Sequence, residues 1–143
     1  MTEPANGDTH ARVRTFEPAD VDTFATVTGD DQSRHTEADE SGRRLVQGLL
    51  TGSMLTEIGG DLEMLARSIE YHFLRPVYTG DTVRCVWENE GVEERPDGWE
   101  VTARVTFERL DGDGETDESG TAAESNEEAE RVIEATVEGV IEE

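Results

Sequence analysis

The sequence predicts an α+β domain, a mostly antiparallel sheet wrapped around one buried helix. Three observations predict it. The chain has 143 residues, enough for one domain with a real core. Val46 to Ile58 (VQGLLTGSMLTEI) combines apolar Leu49, Leu50, Met54, Leu55 and Ile58 with small Gly48, Thr51, Gly52, Ser53 and Thr56. A helix with so few charges is buried on most sides, and its small residues let other backbone or a ligand come close. Beyond it, the ordered part of the chain alternates with period two, the signature of half-buried strands.

In order, Met1 to Thr9 reads as a disordered tail, and residues 10–143 as a single domain. His10 to Phe16 alternates as a first strand. Glu17 to Thr28 (EPADVDTFATVT) reads as a helix. Pro18 suits its first turn, Asp20 and Asp22 lie near the positive dipole end, and Gly29 ends it. Val21, Phe24, Ala25 and Thr28 share its inner face by i, i+3, i+4, i+7 spacing. Asp30 to Arg44 is a long polar loop, and long loops are often functional. The buried helix follows, closed at Gly59-Gly60. Strands are expected at Ser68–Val77, Val83–Val92, Trp99–Leu110 and Arg131–Ile141, with a hairpin turn at Arg95-Pro96-Asp97-Gly98. Residues 111–130 (DGDGETDESGTAAESNEEAE) form an acidic low-complexity insertion that cannot build a core.

The charge balance is extreme. Twelve basic residues, all Arg, face 35 Asp and Glu, for a net charge of −23. Such a surface repels nucleic acid and anionic membranes, so neither is an expected partner. It also repels itself unless salt screens it, and an acidic, lysine-free chain reads as a halophile's protein. No apolar run reaches the roughly 20 residues of a membrane span. No basic segment followed by an apolar stretch opens the chain, so a soluble cytoplasmic protein is expected. Cys85, the single cysteine, sits in an apolar alternating run and reads as a small core residue.

Few residues carry chemistry. Asp30 and His35 lie five apart in the polar loop, and such a pair can share a water and move its proton near neutral pH. On spacing alone, a solvated surface histidine is the commoner outcome. Gln47-Gly48 opens the buried helix. The Gly48 amide at that N-terminus could donate to an oxyanion, or the glycine could serve tight packing alone. Glu57, the one acid inside the helix, reads as solvated, with general base as the alternative. His72 reads as a strand residue, His10 carries no signal, and the three histidines have no metal-site spacing. Gly112 and Gly114 fall in an acidic segment that would repel phosphate.

Three ordered segments carry a resemblance. Phe24 to Glu37 (FATVTGDDQSRHTE) resembles a hydratase signature in which a helix ends in a small residue, Gly and Asp, followed by D-x-N-P-x-H. Leu45 to Thr56 (LVQGLLTGSMLT) is similar to a V-H-G helix start, and Phe73 to Val83 (FLRPVYTGDTV) to a strand of pattern F-x-x-P-V-x-x-G-D-x-V. These are motifs of the MaoC-like (R)-specific enoyl-CoA hydratases. The resemblance covers roughly Phe16 to Phe107. Gln32, Ser33 and Gln47 replace the usual Asn, Pro and His.

What the resemblance implies is a hot-dog fold and a homodimer acting on acyl-CoA thioesters. The reaction would be reversible hydration of a trans-2-enoyl-CoA to a (3R)-hydroxyacyl-CoA. Asp30 and His35 would be catalytic, Gly48 N–H would face the thioester oxygen, and Gln47 and Thr56 would line the substrate site. No metal and no bound cofactor are implied. Arg34, Arg43, Arg44, Arg67 and Arg75 are candidates for the CoA phosphates. Two other functions fit the same fold: an acyl-CoA thioesterase working through Glu57, and a non-catalytic acyl-CoA-binding domain.

Overall fold

The computed structural model describes residues 3–110 and 129–143; the acidic insertion expected at 111–130 falls almost wholly outside them. The elements run β1 (Thr9–Thr15), α1 (Pro18–Thr28), α2 (Ser33–Thr36), α3 (Gly48–Gly52), α4 (Met54–Asp61), β2 (Met64–Phe73), β3 (Thr82–Arg95), β4 (Gly98–Leu110) and β5 (Glu130–Glu142). The five strands make one antiparallel sheet in the order β1-β3-β4-β5-β2.

Period-two alternation decides which sheet face meets the helices. Val101, Ala103, Val105 and Phe107 of β4 are fully buried, while Thr102, Arg104 and Thr106 between them are not. Val83, Cys85 and Trp87 of β3 and Ile133, Ala135 and Val137 of β5 extend that apolar face. Leu55 and Ile58 of α4 pack into it with Phe16, Val21, Val46 and Val77. Each fully buried aliphatic side chain stabilises by about 1.5–3 kcal/mol relative to exposure. Arg12 of β1 reaches across to Glu57 (Nε to Oε2, 3.5 Å) and Asp61, tying the outer side of α4 to the sheet edge.

The structure differs from expectation in several places. The buried helix is two segments joined at Ser53, and it runs on through Gly59-Gly60 to Asp61. Gly52 and Gly48 explain its small residues: a Cβ at Gly52 would stand 2.7 Å from Tyr71 Cε1, and one at Gly48 2.9 Å from Phe73 Cε1. The Tyr71 and Phe73 rings stack at 5.5 Å, and the Tyr71 hydroxyl donates to the Gly52 carbonyl at 2.9 Å. Strand β2 begins four residues earlier than expected and stops at Phe73, ahead of Leu74 to Val77. The expected tail is tied down from Gly7, whose N–H donates to Asn89 O, while Asn89 N–H donates to Asp8 O. A short helix, α2, interrupts the long polar loop.

Candidate active site

Helix α1 aims the loop that bears Asp30. Asp20 Oδ2 accepts from the Glu17 amide at 2.9 Å, fixing the helix start. Gly29 ends it in the left-handed conformation (φ 82°), its N–H donating to Ala25 O at 2.8 Å. A residue with a Cβ is strained there, so glycine sets the direction in which the chain leaves. Asp30 follows at once, its amide donating to Thr28 Oγ1 at 3.2 Å.

His35 lies on α2 and is buried, 5% exposed. Its Nδ1 is 2.7 Å from the Leu45 carbonyl. A carbonyl only accepts, so Nδ1 carries the proton, and in the neutral form of the ring Nε2 presents a lone pair. That lone pair faces Asp30 Oδ2 at 3.6 Å. Asp30 Oδ1 is held by Gln32 Nε2 at 2.9 Å. Gln32, a departure from the family pattern, thus anchors the carboxylate from two residues away. In that neutral form the carboxylate oxygen and the imidazole nitrogen are two acceptors 3.6 Å apart, which suit a donor with two O–H bonds.

Beside the pair opens a cavity of about 590 Å³. Asp30, His35, Gln47 and Gly48 line it together, with Thr28 and Thr51 as further polar lining and Phe24, Leu49, Phe73, Leu74 and Ile133 as apolar walls. Gly48 opens α3, where first-turn amides lack an acceptor within the helix. Gln47 is buried at 1% exposure, its Nε2 donating to Val21 O at 3.2 Å.

Thr56 does not join them. It is exposed, its hydroxyl donates to Ser53 O at 2.6 Å, and it lies outside this cavity. Thr51, on the same face as Gln47 one turn along, lines the cavity instead. Its i+4 spacing from Gln47 was the available signal. Glu57 is also outside the cavity, 65% exposed and paired with Arg12. His72 is exposed on β2 beside Glu70. Of the five candidate arginines, Arg75 lines the cavity; Arg43 lies over the Tyr78 ring, Arg44 pairs with Asp22 and Arg67 with Glu100. Among the described residues no cluster of three or more His, Cys, Asp or Glu could hold a metal ion, and no helix is long and apolar enough to cross a membrane.

A carboxylate on a loop and an imidazole on the short helix after it, beside the opening turn of a helix cradled by an antiparallel sheet, define a class that comparison with known proteins identifies. Residues 3–109 match the family described as the MaoC like domain, and the chain belongs to this MaoC-like family of dehydratases. Its structure is similar to an (R)-hydratase from A. caviae involved in PHA biosynthesis (TM-score 0.75, 17% identity, 99% of each chain covered). It is also similar to the unliganded (R)-hydratase PhaJ1 from Pseudomonas aeruginosa (TM-score 0.73, 19% identity, covering 98% of this chain and 84% of that one). A protein from Mycobacterium tuberculosis with a double hot-dog fold matches at TM-score 0.64 and 19% identity, over 94% of this chain and 38% of its own. The fold is the hot dog. No curated protein matched the chain.

Proposed function

We propose that the protein is an (R)-specific enoyl-CoA hydratase that adds water reversibly across a trans-2-enoyl thioester. The observation that carries this is the convergence of Asp30 Oδ2 and the His35 Nε2 lone pair, 3.6 Å apart, at the wall of a largely apolar cavity. A water donating to both is held with its oxygen lone pairs free for the β-carbon. As it attacks, the pair takes one proton, and a proton is returned to the α-carbon. The Gly48 amide stabilises the negative charge that develops on the thioester oxygen. Gln47 shapes the inner end of the cavity, and Arg75 at its wall is the best-placed contact for a CoA phosphate. No cofactor or metal enters this chemistry.

The second copy of a homodimer would lie along β2, the edge strand next to the cavity, where Leu65, Ile69 and Phe73 are exposed. A thioesterase working through Glu57 is disfavoured, since that carboxylate lies outside the cavity and is engaged with Arg12. The deciding experiment incubates the protein with crotonyl-CoA in molar KCl and follows enoyl absorbance and free thiol together. Loss of the enoyl band with formation of (3R)-hydroxybutyryl-CoA supports the proposal. Release of free CoA that Glu57→Gln abolishes and Asp30→Asn leaves untouched would replace hydration with hydrolysis.

A further inference from the structure

Two buried polar atoms, on residues that line the cavity, have no partner within the protein. Gln47 Oε1 and Thr51 Oγ1 are buried, and neither makes a hydrogen bond. Both residues are 1% exposed and line the cavity. The amide of Gln47 is oriented by its other end: Nε2 donates to Val21 O, which leaves Oε1 as an acceptor turned elsewhere. Thr51 departs from the other helical threonines. Thr23, Thr26 and Thr28 each donate back to the carbonyl four residues earlier, at 2.9, 3.0 and 2.7 Å. The Thr51 hydroxyl makes no such bond.

Residues four apart share a helix face, so these atoms sit one turn from each other. Both residues are far less exposed than the Asp30 side chain, which is 39% exposed. A thioester whose CoA stays outside extends its acyl chain toward them. A methylene satisfies neither atom. A ketone oxygen satisfies the Thr51 donor alone. A hydroxyl donates to Gln47 Oε1 and accepts from Thr51 Oγ1, completing both.

We propose that Gln47 and Thr51 form a hydroxyl-binding subsite, so that the enzyme selects thioesters whose acyl chain carries a hydroxyl beyond the reacting carbons. This deepens the hydratase reading and rests on it. A site built to hydrogen-bond a substrate hydroxyl discriminates strongly against the analogue that lacks it, because its own polar groups are then left unpaired.

The test compares trans-2-hexenoyl-CoA with analogues hydroxylated at successive carbons beyond the double bond, using the full chain in molar KCl. At least one hydroxylated analogue is expected to exceed the plain substrate in kcat/KM by about tenfold or more. Thr51→Val and Gln47→Met should each bring that ratio close to one. Thr51→Val, which removes an unbonded hydroxyl at constant shape, should melt no lower than the wild type. A lower melting temperature would show that the hydroxyl is bonded within the protein and overturn the proposal. Equal kcat/KM for all analogues would overturn it too while leaving hydration intact, the outcome if an ordered water completes both atoms. If no thioester is hydrated, the hydratase reading fails separately. Equilibrium binding of the same thioesters then decides the subsite: a tenfold preference for a hydroxylated chain retains it, and equal affinity overturns it.

Discussion

The His35 ring bridges two parts of the fold, with Nδ1 2.7 Å from Leu45 O and Nε2 3.6 Å from Asp30 Oδ2. One nitrogen is spent on holding the ring, and the other faces a carboxylate. The same geometry governs how the pair should be mutated. His35 is buried, so truncation to Ala would both open space and orphan the Leu45 carbonyl, at a cost of about 1–3 kcal/mol.

Asp30→Asn and the less disruptive His35→Gln should each lower turnover by about a hundredfold or more, the lower range for general acid–base groups. The double variant should be little worse than either single one, because both act on one water. Steady-state hydration of crotonyl-CoA, with circular dichroism to confirm folding, checks this. Fully additive losses would mean the two side chains act on separate steps.

Gly48→Ala places a Cβ 2.9 Å from Phe73 Cε1. Phe73 is 53% exposed, so its ring can swing away, and stability should change by less than about 1 kcal/mol. Activity should still fall by about tenfold or more, since misplacing a donor to the developing oxyanion slows the chemical step. The companion variant Gly48→Ala/Phe73→Ala makes room for the methyl group. Recovery of activity in that variant would assign Gly48 to packing against Phe73 alone.

Strands β4 and β5 pair up to Arg109 opposite Glu130, so the two ends of the acidic segment leave the sheet side by side. Removing residues 113–128 and closing the gap with a short turn should leave hydration within about threefold, as the segment has no apolar side chain larger than alanine to bury. Loss of activity with the fold retained would connect it to the site.

With a net charge of −23, the protein should lose structure in dilute buffer and regain it in molar KCl, where the Debye length shrinks to roughly 3 Å. Thermal melts followed by circular dichroism across a KCl series read this directly. A melting temperature that does not move would argue against adaptation to salt.

Alkali should unfold the protein through one buried and one half-buried acid. Burial pushes the Cys85 thiol from 9.0 up to about 12 and the Tyr71 hydroxyl from 10.0 up to about 12. Both are then held protonated in the fold, while the unfolded chain releases their protons. Their contribution is fully present below pH 9.0 and is lost as pH rises toward about 12. Cys85→Ala should therefore flatten the decline in denaturant midpoint above pH 9.0, even though its cavity lowers the midpoint at neutral pH. An unchanged slope would exclude the thiol as a contributor.

Much of this was legible in the chain itself. Alternation from Val101 to Phe107 determined which face of β4 is buried, because side chains of a strand point to opposite faces by covalent geometry. The run of apolar and small residues from Val46 to Ile58 marked the helix the sheet would enclose. The motif containing Asp30 and His35 singled out two side chains that the fold brings to 3.6 Å from each other. Periodicity, however, names the face of an element and not what lies opposite it. Thr56 and Thr51 look alike in sequence. Only the stacking of Tyr71 and Phe73 on Gly52 and Gly48 shows which side of the helix meets the cavity, and it turns Thr51 inward and leaves Thr56 outside. Glu57 was ambiguous until Arg12, 45 residues earlier and on another element, came within 3.5 Å of it. Gln32 looked like a lapse from a motif until its amide was found on Asp30. Local sequence determined elements and their faces; long-range packing decided which polar groups meet, because contact between distant segments depends on the rotation and register of both.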